Sequence, residues 1–344
     1  MTPLTPYQRV FAAAERDSVP LDVILELTHR CNLRCRHCYI PDFQAPDLLD
    51  TERVLRLLDE LAELGTLRLT LSGGEVLLRR DWAEVARRAR RLGFEVRVFT
   101  NGSLITGRVA DEFAALCASA EISLHAAAAE PFDGFTQVQG SFRRMERGVA
   151  LLRERGVEVL LKVPLTVHNY REVDAVHAFA ESLGVRCTSY PAIMPAKDGS
   201  RTPLAQRAPE KLLLPYYAGP HSECALPKPG SGHEGAEAPL CAAAARLACV
   251  TSAGDVLPCV VLPLVAGNLL TQSFREIWES SAVMRRVRSL RPADLMRCGS
   301  CEKLAYCGRC PAQALAEAGD LAGPSRWACE HAAALEEAAR RRAG

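Results

Sequence analysis

From Val23 to Tyr190 the chain alternates short β-rich runs with longer runs whose apolar residues recur at helical spacing. A strand, a crossover helix and a second strand pair most readily in parallel, so this rhythm predicts βα units and an α/β fold. Six strands are predicted, at Val23–Leu27, Leu67–Leu71, Glu95–Thr100, Ala120–Leu124, Val157–Val163 and Val185–Tyr190. Between the first two, Thr51 is expected to cap a helix carrying Val54, Leu55, Leu58, Leu61 and Leu64, with Gly65 at its C-terminal turn. Further helices are predicted near Asp81–Leu92, Ser141–Arg155 and Arg171–Leu183. Right-handed crossovers would wind six such units into a partial (β/α)6 barrel, whose chemistry collects at the carboxyl ends of the strands. Periodicity alone leaves an open doubly wound sheet as the alternative.

The rhythm stops after Met194, and residues 195–239 are rich in Pro, Gly, Ser and charge. From Cys241 onward cysteines are dense, and such a segment is expected to be cross-linked by metal because its own apolar core is small. The expected layout is an extension (1–22), a barrel (23–192), a bridge and lid (193–240), a cysteine-rich auxiliary domain (241–335) and a tail (336–344). With 42 basic against 41 acidic residues the net charge is +1, which gives no general electrostatic case for nucleic acid or an anionic membrane as main partner. The N-terminus lacks a basic segment followed by an apolar run, and no apolar stretch approaches the ~18 residues of a spanning helix, so a cytoplasmic protein is expected. There, fourteen cysteines are poor disulfide candidates, and their spacing must separate metal ligation from core packing.

Directly after the first predicted strand come Cys31, Cys35 and Cys38, with three and then two residues between thiols. Three thiolates from one loop can hold an iron–sulfur cubane while leaving one iron open, as a substrate-binding site requires. Zinc, completed by His29 or His37, or three reduced structural thiols are the alternatives. The loop resembles the Cys-x3-Cys-x2-Cys signature of the radical S-adenosylmethionine (SAM) superfamily. The resemblance implies a [4Fe–4S] cluster whose open iron is chelated by the amino and carboxylate groups of SAM, and reductive release of a 5′-deoxyadenosyl radical that abstracts hydrogen from a substrate. It also implies that His37 lies against the adenine and that Gly73-Gly74-Glu75, after the second strand, serves the methionine amino group. Two glycines allow close backbone approach, and Glu75 offers charge to an ammonium. Asn101 in Thr100-Asn101-Gly102, and Ser123 and His125 at the end of the fourth strand, match positions used around SAM in the family. Each also reads as an ordinary turn or strand end. Gly140-Ser141-Phe142 resembles a recurring segment whose Ser141 can cap a helix, and Lys162, Thr166 and Asn169 lie near the end of the fifth strand.

Downstream, Cys241 is followed by Gly254, Cys259, Cys298, Cys301, Cys307, Cys310 and Cys329, which resembles the SPASM auxiliary-cluster domain. Two residues separate Cys307 from Cys310 where that family commonly has three. The resemblance implies two further [4Fe–4S] clusters, one on Cys298, Cys301, Cys307 and Cys329, the other on Cys241, Cys259, Cys310 and Cys249, with Cys224 as the alternative to Cys249. A zinc ribbon is the alternative for the whole segment. Cys117 and Cys187 are expected to be small core residues.

These resemblances imply a radical SAM oxidoreductase acting on a ribosomally made peptide by cross-linking or oxidation. Little sequence precedes the first strand, so a separate leader-binding protein, or recognition by the cluster domain itself, is expected beside an electron donor such as flavodoxin or ferredoxin. Sulfatase maturation is disfavoured because the family member for that task has an acidic base where this chain has Val260. Dehydrogenation of a small molecule such as an aminocyclitol is a further reading. A non-catalytic electron carrier would need neither Gly73-Gly74-Glu75 nor an open three-cysteine site. Tyr190, His125 and Glu223 are conceivable bases that no motif marks.

Overall fold

The computed structural model describes residues 5–222, 239–295, 298 and 300–343. Helix α1 (Pro6–Asp17) precedes six strands: β1 (Asp22–Thr28), β2 (Arg68–Gly73), β3 (Glu95–Thr100), β4 (Ser119–Ser123), β5 (Val159–Pro164) and β6 (Arg186–Tyr190). Between them lie α2 (Thr51–Glu63), α3 (Trp82–Arg91), α4 (Gly107–Ala115), α5 (Ala129–Thr136), α6 (Ser141–Glu154) and α7 (Val173–Ser182). All six expected strands are present, and they run in parallel in the order β6-β5-β4-β3-β2-β1. Each new strand adds to the same side of the last, without the reversal of order that marks a doubly wound sheet, and the result is an unclosed barrel.

Local chemistry departs from expectation at two caps. Asp50, not Thr51, caps α2 by accepting the Arg53 amide at 2.8 Å, while Thr51 opens the helix and its hydroxyl donates to Asp81. Gly140 takes the position before α6 in a left-handed conformation, and Ser141 becomes the first helical residue. Cys117, expected in the core, is exposed, whereas Cys187 packs half-buried against it.

The two faces of the sheet divide by alternation. Leu69, Leu71, Val96, Val98, Ala120, Ile122, Val159, Leu161 and Val163 are buried toward the helices and form the core. The opposite face lines the barrel and is charged toward its N-terminal end. There Arg246 and Arg68 flank Asp22 at 2.8 Å each and Arg68 and Arg97 flank Glu95, while further toward the carboxyl ends of the strands Lys162 meets Glu121 at 2.9 Å. Helix α1 covers this end: Tyr7 accepts from Arg68 at 2.7 Å, and the guanidinium of Arg246 lies 4.5 Å from the Phe11 ring centre. The extension thus packs across the base of the barrel.

Beyond β6, α8 (Leu214–Ala218) belongs to the bridge, while Glu223, Cys224 and the Pro-Gly-Ser stretch 227–232 lie outside the described residues. The cysteine-rich part then rejoins the same sheet. Strand β7 (Leu247–Val250) pairs in parallel with β1, and β8 (Asp255–Leu257) and β9 (Gly267–Asn268) continue antiparallel. The remaining helices are α9 (Phe274–Ser280), α10 (Ala282–Arg288), α11 (Pro311–Ala318) and α12 (Arg326–Ala343). Glu60 of α2 accepts the first amides of α9, from Phe274 and Arg275 at 3.0 Å each. The expected tail is helical from residue 336 to 343 as the continuation of α12. Near the start of that helix a buried network joins it to the bridge: Tyr217 hydroxyl contacts Glu210 and, at 2.7 Å, His331 Nδ1.

Candidate active site

Cys31, Cys35 and Cys38 lie in the loop leaving β1, at the carboxyl end of the strand. Two supports shape this loop. On one side, the amides of Arg34 and Arg36 donate to the carbonyls of Thr136 and Phe135 at the end of α5. Asp133 of the same helix accepts from the amides of Gly140 and Phe142 and from the Ser141 hydroxyl, clasping α5 to α6. Burial opposes the charge on Asp133, yet these hydrogen bonds hold its carboxyl below the usual range. On the other side, Asn101 Nδ2 donates to Asn32 at 2.9 Å and approaches Cys31 Sγ at 3.9 Å, and Ser103 bonds both asparagines.

The Gly-Gly-Glu segment is threaded against the same loop. The Gly74 amide donates to the Thr28 carbonyl at 2.7 Å and the Glu75 amide to that of Arg30 at 2.8 Å. Gly73 has φ 142°, and a Cβ at Gly73 or Gly74 would fall on the Thr28 or Arg30 carbonyl oxygen respectively. Only glycine allows this approach. Glu75, however, turns away from the open space. Its carboxylate is fully buried and accepts from Thr100 Oγ1 at 2.7 Å and from the amides of Asn101 and Leu77 at 2.8 and 3.1 Å. Burial pushes its carboxyl up from the usual value against those hydrogen bonds. The charge expected to meet an ammonium instead clamps the β2 loop to the end of β3, leaving Ser72, Gly73 and Gly74 facing the cavity.

That cavity, about 480 Å³, is where the sequence-derived residues meet: Cys31, Cys35, Cys38, His37, Gly73, Gly74, Asn101, Ser123 and His125 all line it. Its lining also includes Phe99, Glu121, Lys162 and Tyr190, with Val260 and Val261 from the auxiliary region. The Lys162 ammonium lies 4.3 Å from the Phe99 ring centre as well as on Glu121. Burial, then Glu121, pushes the Tyr190 phenol up to about 12. Thr166 and Asn169 stand outside the cavity, where Asn169 caps the turn after β5 and donates to the His125 carbonyl at 3.0 Å.

The donors fit an iron–sulfur cluster and SAM. Burial and mutual repulsion push the thiols of Cys35 and Cys38 up, the latter to about 11. Three half-buried thiols whose charges repel one another are therefore poor anions until a cation joins them. His125 is buried and His37 half-buried, with their rings 5.1 Å apart, burial lowering His37 to about 4, and the Nδ1 atom of each has no protein partner. His125 Nε2 lies 3.8 Å from Cys35 Sγ. Neutral rings of this kind offer a flat surface to an adenine and a donor or acceptor to a polar ligand atom.

Two further thiol sets assemble from the C-terminal cysteines. The charge of Cys307 is felt with those of Cys329, Cys298 and Cys301, and its short loop is pinned by Arg309, which donates to the carbonyls of Leu321 and Gly323. Burial, then Cys241 and Cys310, push Cys259 up to about 12. Cys249 is fully buried on β7, raised by burial, then by Glu26 and, more weakly, by Cys259. Among the described residues no three Cys, His, Asp or Glu side chains converge as tightly as one bound ion requires.

Sequence reasoning missed the α5 clasp and Glu26. The signal for Glu26 was a lone charge within the apolar run Val23-Ile24-Leu25-Glu26-Leu27.

The Radical SAM superfamily profile matches residues 25–182, and the SPASM profile, an iron–sulfur cluster-binding domain, matches residues 241–311. An AdoMet-dependent heme synthase of Methanosarcina barkeri is 30% identical, covering 88% of this chain and 94% of its own length. A PqqA peptide cyclase of Xanthomonas campestris is 30% identical over 88% of this chain and 85% of its own. Among solved structures, Streptococcus suis SuiB bound to precursor peptide SuiA superposes with a TM-score of 0.71 at 17% identity, covering 95% of this chain and 82% of SuiB. Native anSMEcpe with bound AdoMet gives 0.70 at 16% identity, covering 94% and 98%. Among the described residues no helix is long and apolar enough to cross a membrane. The chain is an enzyme of the radical SAM superfamily with a SPASM domain, and its cofactors are [4Fe–4S] clusters and SAM.

Proposed function

We propose that the chain modifies a peptide. In this reading Cys31, Cys35 and Cys38 hold the SAM-binding cluster, and His37, Gly73, Gly74, Asn101, Ser123 and His125 surround SAM, with Glu75 fixing the loop from behind. Cys298, Cys301, Cys307 and Cys329 hold one auxiliary cluster, and Cys241, Cys249, Cys259 and Cys310 the other. When bound, the cluster and SAM together supply a carbon-centred radical that removes a hydrogen atom from the substrate. The protein's part is to orient the substrate and keep water out.

The observation that carries the reading is the shared cavity. About 480 Å³ must serve cofactor and reacting group together, and α1 covers the opposite end of the barrel. A side chain projecting from an extended peptide suits such a space better than a rigid macrocycle enclosed whole. The cavity as a whole is largely apolar, and its one carboxylate, Glu121, is held by Lys162. Val260 supplies no base from the auxiliary side, which argues against sulfatase maturation. A low-potential donor such as flavodoxin or ferredoxin, and a separate leader-binding protein, would complete the system.

Heme synthesis is the second reading, favoured by the alignment over 94% of the Methanosarcina barkeri enzyme against 85% of the peptide cyclase. Anaerobic incubation with reductant and SAM separates the two. A short peptide encoded beside the gene that loses hydrogen mass supports the first reading; decarboxylation of an iron porphyrin bearing propionates, with the peptide unchanged, overturns it.

A further inference from the structure

Glu26 is completely buried on β1 and does not line the cavity, so it touches neither cofactor nor substrate. A buried carboxylate is retained at a cost in solvation unless partners compensate it. Its partners come from three different segments. Tyr39, beside Cys38, donates to Oε1 at 3.2 Å, and His29, also of the cysteine loop, places Nε2 3.5 Å from Oε2. Lys197, from the segment leaving β6, forms an ion pair with Oε2, and its backbone amide donates to the Tyr39 carbonyl at 2.9 Å. Cys249 of β7 completes the ring: Glu26 and then Lys197 are the charges that act most strongly upon it, and it lies in register with Ile24 of β1.

The chain returning from β6 is therefore tied to the cysteine loop and to the auxiliary region at one point. We propose that Glu26 and Lys197 form a positioning joint between the SAM-binding loop and the first auxiliary thiol set, and that their paired charges balance the potential felt on either side. The proposal rests on reading Cys31, Cys35 and Cys38, and Cys241, Cys249, Cys259 and Cys310, as cluster ligands. Neither Glu26 nor Lys197 acts on the reacting atoms.

The test uses E26Q, K197M and the double variant of the full chain. In protein without iron, hydrogen exchange at residues 195–199 should quicken roughly tenfold in either single variant, because the anchored amide of Lys197 loses its buried clamp. After anaerobic reconstitution, E26Q should raise the cluster midpoint potentials, K197M should lower them, and the double variant should return toward the wild type. Removing a negative charge favours the reduced cluster, and removing a positive one disfavours it. Unchanged exchange, or potentials that stay fixed or move in the same direction in both single variants, would overturn the joint. Wild-type protein that takes up no iron would instead defeat the ligand assignment, and the exchange measurement would still decide on the joint.

Discussion

Cys249 of β7 stands in register with Ile24 of β1, one alternation along the strand from Glu26. The auxiliary region is thus not an appendage hung on a bridge: its first strand is a seventh parallel member of the barrel sheet. Residues on either side of this seam, Cys38 and Tyr39 from one region and Cys249 from the other, share the electrostatic neighbourhood of a single buried carboxylate.

Gly73→Ala should damage the protein more than a typical loop substitution. A methyl group would meet the Thr28 carbonyl, and φ 142° is hostile to any side chain. A cost of about 3 kcal/mol or more is expected, read as a lower denaturation midpoint together with loss of SAM binding. Gly134, where a Cβ would meet nothing within 4 Å, is the control site.

Asn101→Ala should act on the cofactor while leaving the fold intact. It removes the bond to Asn32 and the approach to Cys31. Loss of one such hydrogen bond is worth ~1 kcal/mol, about a fivefold weaker affinity. Calorimetric titration of reconstituted protein with SAM checks it, and unaltered affinity would assign Asn101 to the turn alone.

Lys162→Met should separate the two halves of the cavity. Lys162 is engaged by Glu121 and the Phe99 ring, so substrate-free SAM cleavage is expected to stay within about twofold of wild type. Substrate modification is expected to fall about tenfold or more, because Glu121 loses its ion-pair partner. Parallel losses in both assays would contradict this division.

Asp133 supplies a pH dependence. Its carboxyl titrates below the usual range in the folded protein, so from that lower value up to about pH 4 the unfolded chain binds more protons and stability rises with pH. The contribution is present above the unfolded value and is lost as pH falls through the folded one. Asp133→Asn should flatten this acid limb and cost about 1 kcal/mol at neutral pH, measurable as urea midpoints across a pH series.

Much of this architecture could be read from residue order. Val96, Val98, Leu69 and Leu71 alternate cleanly, and the period of two located every strand of the barrel within two residues at either end. The cysteine loop and Gly73-Gly74 were legible because spacing and glycine each report a local backbone demand. What escaped was non-local. Strand β7 has only four residues and pairs with a partner more than two hundred positions earlier, a relation without local periodicity. Helix α5 was hidden because Gly134 and Pro131 weaken its pattern. Glu75 follows β2 as expected, with its carboxylate turned to Thr100 and the Asn101 amide, since sequence reports that a carboxylate is present and not which way it faces.

The most direct measurement is 5′-deoxyadenosine production by anaerobically reconstituted protein given SAM and a strong reductant, compared with a variant carrying Cys31→Ala, Cys35→Ala and Cys38→Ala. About 12 iron atoms per chain, and product, are expected from the wild type; the variant should retain about eight irons and form none. Wild-type protein that holds iron yet leaves SAM uncleaved, or a variant that still cleaves it, would refute the assignment of the three-cysteine loop.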